Sequence, residues 1–189
     1  MTTICFIRHG QTNWNKQGKL QGKTDIPLND TGRDQAQACG KYLHAHNYDI
    51  LICSPLLRAK ETADIINQHL HLPIIKMDDF KERSFGDAEG LTMEERKHRY
   101  PSGHFPNQEE RVDFNQRVMT GVEKVNEQYP QQRVLLVAHG AVINAILAEV
   151  SNGEIGSGKT SLMNGCISNI HLKEQTWHIK DYNQVGHLQ

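Results

Sequence analysis

Apolar residues in this chain fall into short continuous runs separated by longer stretches of helical spacing. The first run, residues 4–7 (Ile-Cys-Phe-Ile), is rich in strand formers and stops abruptly at Arg8-His9-Gly10. A second, residues 49–53, ends at Ser54-Pro55, and a third covers residues 72–77. Residues 133–138 (Arg-Val-Leu-Leu-Val-Ala) are almost wholly apolar, the pattern of a central parallel strand, and end at His139-Gly140. Between these runs the spacing predicts helices. One starts near Asn29-Asp30-Thr31-Gly32, with Asp30 or Thr31 as cap, and runs through Ala36, Cys39, Gly40 and Leu43. Others span residues 56–69, 92–100, 109–129 and 141–150; the longest carries Val112, Phe114, Val118, Val122 and Val125. Residues 166–172 and 176–182 read as a closing strand pair around Lys173-Glu174-Gln175.

Three segments lack periodicity. Residues 16–30 form a polar loop with Gly18, Gly22 and Pro27, a candidate cover for a site. Residues 78–90 carry Glu82, Asp87 and Glu89 between turns at Gly86 and Gly90, and residues 101–108 form a Pro/Gly-containing connection. Strands alternating with helices, with no break in composition, predict a single domain over residues 1–189: a three-layer α/β/α sandwich around a mostly parallel sheet.

Composition narrows the function classes. A net charge of -1 argues against a nucleic-acid binder, while leaving room for a small positive pocket. No leader pattern opens the chain and no apolar run is long enough to cross a bilayer, so a cytoplasmic location without membrane attachment is the expectation. The four cysteines, Cys5, Cys39, Cys53 and Cys166, are scattered and read as small buried hydrophobes in a reducing compartment. The pairs His44/His46 and His69/His71 fall at predicted helix ends with no further ligands nearby, so no metal is assigned.

Candidate chemistry gathers where strands end, the place at which open α/β sheets bind ligands. Arg8 and His9, Ser54 with Arg58 shortly after it, and His139 all occupy such positions, and Glu82 follows the third strand. Singly, each has an ordinary alternative: a turn histidine, a solvated helix arginine, a surface carboxylate. Together, two arginines, two histidines and a carboxylate suit phosphoryl transfer. Guanidiniums hold phosphate oxygens by paired hydrogen bonds, a neutral imidazole can attack phosphorus, and a carboxylic acid can protonate the departing oxygen. A competing pattern, Gly153-x-x-x-x-Gly158-Lys159-Thr160, matches the P-loop. A P-loop follows a buried strand and opens a helix; here a helix precedes and a strand follows, so the segment reads as a Gly-rich surface loop.

Arg8-His9-Gly10-Gln11-Thr12-x-x-Asn15 resembles the opening signature of the histidine phosphatase superfamily, in its phosphoglycerate mutase-like branch. Gln21-Gly22 with Asp25-x-Pro27-Leu28-x-x-x-Gly32, Ser54-Pro55-Leu56-x-Arg58-Ala59-x-x-Thr62-Ala63, Glu82-x-x-x-Gly86-x-x-Glu89-Gly90 and Val137-Ala138-His139-Gly140 are similar to its later motifs, in order. The resemblance implies a phosphoglycerate mutase-like fold of the broad-specificity phosphatase type. It implies His9 as the nucleophile that becomes phosphorylated. Arg8, Arg58 and His139 would hold the phosphate, and Glu82 would be the general acid and base. It places Asn15, Gln21, Gly22 and Gly140 at the substrate, and calls for no cofactor. A neutral His9 beside a more useful cationic His139 would need environments that separate their pKa values.

Within that resemblance the chain reads as a phosphomonoesterase acting on small phosphorylated metabolites, either monomer or homodimer. Glycolytic mutases of the family are longer after the acid motif and carry an Arg-Arg pair there; this chain has only Arg83, Arg96 and Arg99 nearby. The alternatives are a cofactor-dependent phosphoglycerate mutase and, in another class, a non-catalytic module that binds or signals through a phosphate ligand. Two departures bear on specificity: Pro101-Ser102-Gly103-His104-Phe105 replaces a Pro-x-Gly-Glu-Ser pattern, and Asn144 stands where arginine is frequent. Residues 92–108 are expected to line the leaving-group side, with Tyr100 and Phe105 suggesting an apolar partner.

Overall fold

The computed structural model describes residues 1–189. Its strands are β1 (Thr3–Arg8), β2 (Ile50–Cys53), β3 (Ile74–Lys76), β4 (Arg133–Ala138), β5 (Ile167–Lys173) and β6 (Thr176–Gln184). Its helices are α1 (Asn13–Lys16), α2 (Asp30–Leu43), α3 (Leu57–Leu70), α4 (Met93–Arg99), α5 (Arg111–Gln128) and α6 (Gly140–Val150). One sheet runs in the order β3-β2-β4-β1-β5-β6. Its first four members are parallel, whereas β5 runs antiparallel to β1 and β6 antiparallel to β5.

The central strands are apolar throughout because both faces are covered, and alternate side chains go to opposite layers. Ile4, Phe6, Ile52, Val134 and Leu136 pack with Phe114, Val118 and Val122 of α5 and Val142, Ile143 and Ile146 of α6. Cys5, Ile7, Leu51, Leu135 and Val137 pack on the other face with Cys39 and Leu43 of α2 and Ala59, Ala63 and Ile66 of α3. The thiols behave as core: burial pushes Cys5 and Cys39 up to about 12, and Cys53 and Cys166 to about 11. No helix is long and apolar enough to cross a membrane.

Register places the site. Arg8 of β1 lies opposite Ala138 of β4, and Cys53 of β2 opposite Val137. The ladder continues past the strands, with the His9 amide donating to Ala138 (3.0 Å) and the Ser54 amide to Val137 (3.0 Å). Three strands therefore end level, and the residues after them emerge side by side.

Some local expectations need correction. The cap of α2 is Asn29, neither Asp30 nor Thr31; its side chain accepts from the Gly32 amide at 2.8 Å, leaving Asp30 as a first-turn carboxylate bonded to Arg33. Within residues 11–16 a single helical turn forms, closed by a capping box in which Thr12 and Asn15 exchange hydrogen bonds of 3.1 and 3.0 Å. Residues 78–90 hold two 3-10 turns, Asp78–Phe80 and Gly86–Ala88.

The start of α2 touches the loop after β1 closely. A Cβ on Gly32 would lie 2.1 Å from the Gln11 carbonyl oxygen, and one on Gly10 would lie 2.3 Å from the Gly32 carbonyl oxygen. Alanine for glycine inside a helix normally gains about 1 kcal/mol. Here backbone meets backbone, so Gly32→Ala should instead lower stability by about 1–3 kcal/mol in urea unfolding; a stabilised variant would show the approach to be looser than described.

Candidate active site

His9 sits one residue beyond β1 and is almost fully buried. Its Nδ1 lies 2.7 Å from the carbonyl oxygen of Gly10. A carbonyl only accepts, so Nδ1 carries the proton and Nε2 keeps its lone pair. The Gly10 amide in turn donates to Thr62 Oγ1 (3.0 Å), whose hydroxyl donates to the Arg58 carbonyl (2.7 Å), tying the His9 turn to the first turns of α3. Burial, then the charges of Arg58 and Arg8, hold His9 well below the usual histidine value, so its ring is neutral.

The two arginines are enclosed rather than solvated. Arg58, only 1% exposed, donates to the carbonyls of Gly22 (2.7 Å) and Thr24 (3.1 Å), so Gly22 acts through its backbone and is not part of the cavity wall. Arg8 donates from one terminal nitrogen to the Leu162 carbonyl. Three buried nitrogens find no protein acceptor: Arg8 Nε, Arg58 Nε and His139 Nδ1. Buried donors are seldom left unmatched, and three such nitrogens, one at the end of β1, one in the first turn of α3 and one just past β4, suit an oxyanion.

His139 caps the N-terminus of α6, is fully buried and packs edge-on to His9 with ring centroids 5.2 Å apart; its Nε2 lies 2.7 Å from Ser54 Oγ. Burial, followed by Arg58, His9 and Arg8, pulls His139 well below the usual value too. Both imidazoles are neutral in this site, and any charge on His139 has to be induced by an anion beside it.

Glu82, from the loop after the first 3-10 turn, accepts from the Arg83 amide (3.0 Å) and the Ala141 amide (3.2 Å). Burial raises its pKa against the opposing pull of Arg58, those two amides and Arg8. Glu89 secures the surrounding loops, taking hydrogen bonds from the Phe85 amide (3.0 Å) and from Thr24 (2.9 and 2.6 Å).

These groups border one cavity of about 240 Å³, whose wall includes Arg8, His9, Asn15, Gln21, Arg58, Glu82 and Gly140. Seven of the nine residues singled out in the sequence thus reach the cavity; His139 stands behind His9 and Gly22 behind Arg58. Sequence reasoning missed Lys19, Leu20, Phe85 and Ala141, which complete the wall. It also missed Asn164, which donates to the His9 carbonyl (3.1 Å) and to Asn15 Oδ1 (3.2 Å). No residue of 92–108 lines this cavity; Tyr100 and Phe105 pack on each other at 5.7 Å. The P-loop-like residues 153–160 follow helix α6 and open no helix, yet Gly158, Lys159 and Thr160 border a neighbouring cavity that also touches Arg8 and Gly140.

Comparison with known proteins gives the class of protein to which this strand-end pocket belongs: the profile of the histidine phosphatase superfamily, branch 1, matches residues 4–185. The chain belongs to that superfamily and is one of its phosphatases. It is 54% identical over 188 residues to the uncharacterized phosphatase PhoE of Bacillus subtilis (strain 168), covering 100% of this chain and 97% of the relative. It is 32% identical to the metal-independent phosphoserine phosphatase of Arabidopsis thaliana, covering 100% of this chain and 84% of that protein. Among solved structures, Bacillus stearothermophilus YhfR superposes with a TM-score of 0.93 at 27% identity, covering 100% of both chains.

An oxyanion should stabilise this pocket selectively. Inorganic phosphate at about a hundred times its Kd adds about 2.7 kcal/mol, which raises Tm by about 5–10 °C for a chain of this size. Arg8→Gln should lose most of that shift; equal shifts in the two proteins would place the anion elsewhere.

Proposed function

We propose that this protein is a phosphomonoesterase for small phosphorylated metabolites, working through a phosphohistidine on His9 with Glu82 as general acid and then base. The observation that carries the reading is the bond from His9 Nδ1 to the Gly10 carbonyl, which leaves a neutral, lone-pair-bearing Nε2 among Arg8, Arg58 and His139. A binding module needs neither that nucleophile nor a protonated acid beside it.

In the first step His9 Nε2 attacks phosphorus, the ester P–O bond breaks, and the Glu82 carboxyl gives its proton to the departing oxygen. The imidazolium formed is stabilised through Nδ1–H and the Gly10 carbonyl. In the second step the Glu82 carboxylate takes a proton from water, whose oxygen attacks phosphorus; the P–N bond breaks and its electron pair returns to Nε2. Arg8 and Arg58 hold the phosphoryl oxygens in both steps and supply, with the α6 N-terminus, the positive field that speeds transfer.

Hydrolysis rather than mutase transfer accords with a second cavity of about 440 Å³ that Glu82 borders together with Lys23, Asp78, Lys81 and Ser84, with no hydrophobic residue in its wall. Action on small esters is also consistent with the Arabidopsis relative, named for phosphoserine.

With a metal chelator present, the wild type should hydrolyse an aryl phosphate and His9→Ala should not; retained turnover in His9→Ala would reject the mechanism. Glu82→Gln should slow phosphorylation of the enzyme by alkyl phosphates by about 10²–10⁴-fold and by p-nitrophenyl phosphate far less, since that leaving group needs no proton, while hydrolysis of the phosphoenzyme should slow equally for both. In kcat/KM the alkaline limb should reflect loss of the Glu82 proton above the ordinary carboxyl value of 4.5. The acid limb, protonation of His9, should fall below 6.5.

A further inference from the structure

Glu82 sits in a segment with little regular structure of its own, between the 3-10 turns Asp78–Phe80 and Gly86–Ala88. Its carboxylate accepts from the Ala141 amide of α6, so the loop has to be held at a fixed distance from that helix. The hold comes from α5. Nη1 of Arg117 donates to the carbonyls of Asp79 and Lys81, both at 2.9 Å, and no other protein group donates to either oxygen. The Lys81 carbonyl belongs to the planar peptide unit that carries the Glu82 nitrogen, so this bond fixes the plane from which the acid departs.

The helix lies close enough for this because of Gly121, where a Cβ would come within 2.7 Å of Asp79 Cβ and 2.9 Å of Phe80 Cζ. One turn further on, Lys124 Nζ donates to Asp79 Oδ2 (2.9 Å). Arg117, Gly121 and Lys124 share one helix face by their spacing, and that face meets the turn before the acid.

The rest of the Arg117 guanidinium forks onto Glu109, with Nη2 donating to Oε1 (2.8 Å) and Nε to Oε2 (3.0 Å). Glu109 in turn grips the residues that follow the acid. Its amide donates to the Ser84 carbonyl (2.8 Å), its carbonyl accepts from Arg83 Nε (2.8 Å) and its carboxylate from the Ser84 amide (3.3 Å). Arg117 therefore holds the chain before Glu82 and Glu109 holds it after. Both border the polar cavity of about 440 Å³ and are absent from the wall that His9, Arg8 and Arg58 share, so they act through Glu82 and not on the phosphate.

We propose that Arg117, oriented by Glu109, is a positioning residue for the general acid: its four hydrogen bonds set the backbone on either side of Glu82 so that the carboxyl meets the departing oxygen. This role rests on the phosphatase reading and adds to it the part of the molecule that aims the acid. A lysine, with a single point charge, cannot grip two carbonyls and a carboxylate at once.

The test follows phosphorylation of the enzyme by rapid quench with two esters, glycerol 3-phosphate, whose alkoxide needs a proton to leave, and p-nitrophenyl phosphate, whose leaving group does not. Arg117→Met should slow the first by about 10–100-fold, the effect of an acid displaced by about 1 Å, and the second by less than about threefold. Affinity for inorganic phosphate should stay within about twofold, because Arg8, Arg58 and His9 are untouched. Arg117→Lys should recover part of the alkyl rate. Glu109→Gln keeps the Nη1 bonds and should show the same selective loss to a smaller extent, a second reading if Arg117→Met fails to fold. A loss equal for both esters, or a parallel fall in phosphate affinity, marks a merely structural arginine and overturns the role, as does an alkyl rate unchanged in the variants. Glu82→Gln, run alongside, separates the two readings. A difference between the esters there with none in the Arg117 and Glu109 variants removes the positioning role alone. No difference in Glu82→Gln, or no phosphoenzyme in the wild type, rejects the phosphatase mechanism and this role with it.

Discussion

Two guanidiniums are enclosed at the ends of neighbouring elements, and most of the site follows from that constraint. Taking a cation out of water costs several kcal/mol even after local relaxation. Arg8 and Arg58 recover part of that through backbone carbonyls at Leu162, Gly22 and Thr24, which is why two separate loops converge on the strand ends. Their Nε groups remain unmatched. The molecule thus carries a positive, partly unsatisfied centre whose natural complement is an oxyanion.

The same positive field governs the titrating groups around it. It lowers the pKa values of His9 and His139, as burial also does, and it opposes the burial that raises that of Glu82. A nucleophile without its proton and an acid with its proton can therefore coexist at one pH, the pairing that both steps of phosphoryl transfer require. The level ends of β1, β2 and β4 turn this from chemistry into geometry, because they deliver His9, Ser54 and His139 to one plane.

What the sequence discloses and what it hides follow physical lines. Buried parallel strands have no polar face, so residues 4–7 and 133–138 stand out as apolar runs, and the charged residues that end them stand out in turn. Helix entry was less legible: Asn29, Asp30 and Thr31 can all cap, and only the path of the chain selects Asn29. The α1 turn is held by Thr12 and Asn15 side chains and buries no residue, so no periodicity marks it. Asn164 acts through two hydrogen bonds across long separations in sequence and leaves no pattern at all. Phe85 and Ala141, which wall the cavity, look in sequence like any apolar packing. The shared depression of both histidines was also hidden, since it depends on burial behind one another and not on their neighbours in the chain.

The central claim, that His9 Nε2 takes the phosphoryl group, is most directly tested by rapid quench of the enzyme during turnover of a phosphate ester, followed by phosphorus NMR and peptide mapping under conditions that preserve phosphohistidine. The account predicts one phosphoryl group on Nε2 of His9, with Nδ1 left to the Gly10 carbonyl. Phosphate on Nδ1, on His139, or on no residue while turnover proceeds would contradict it.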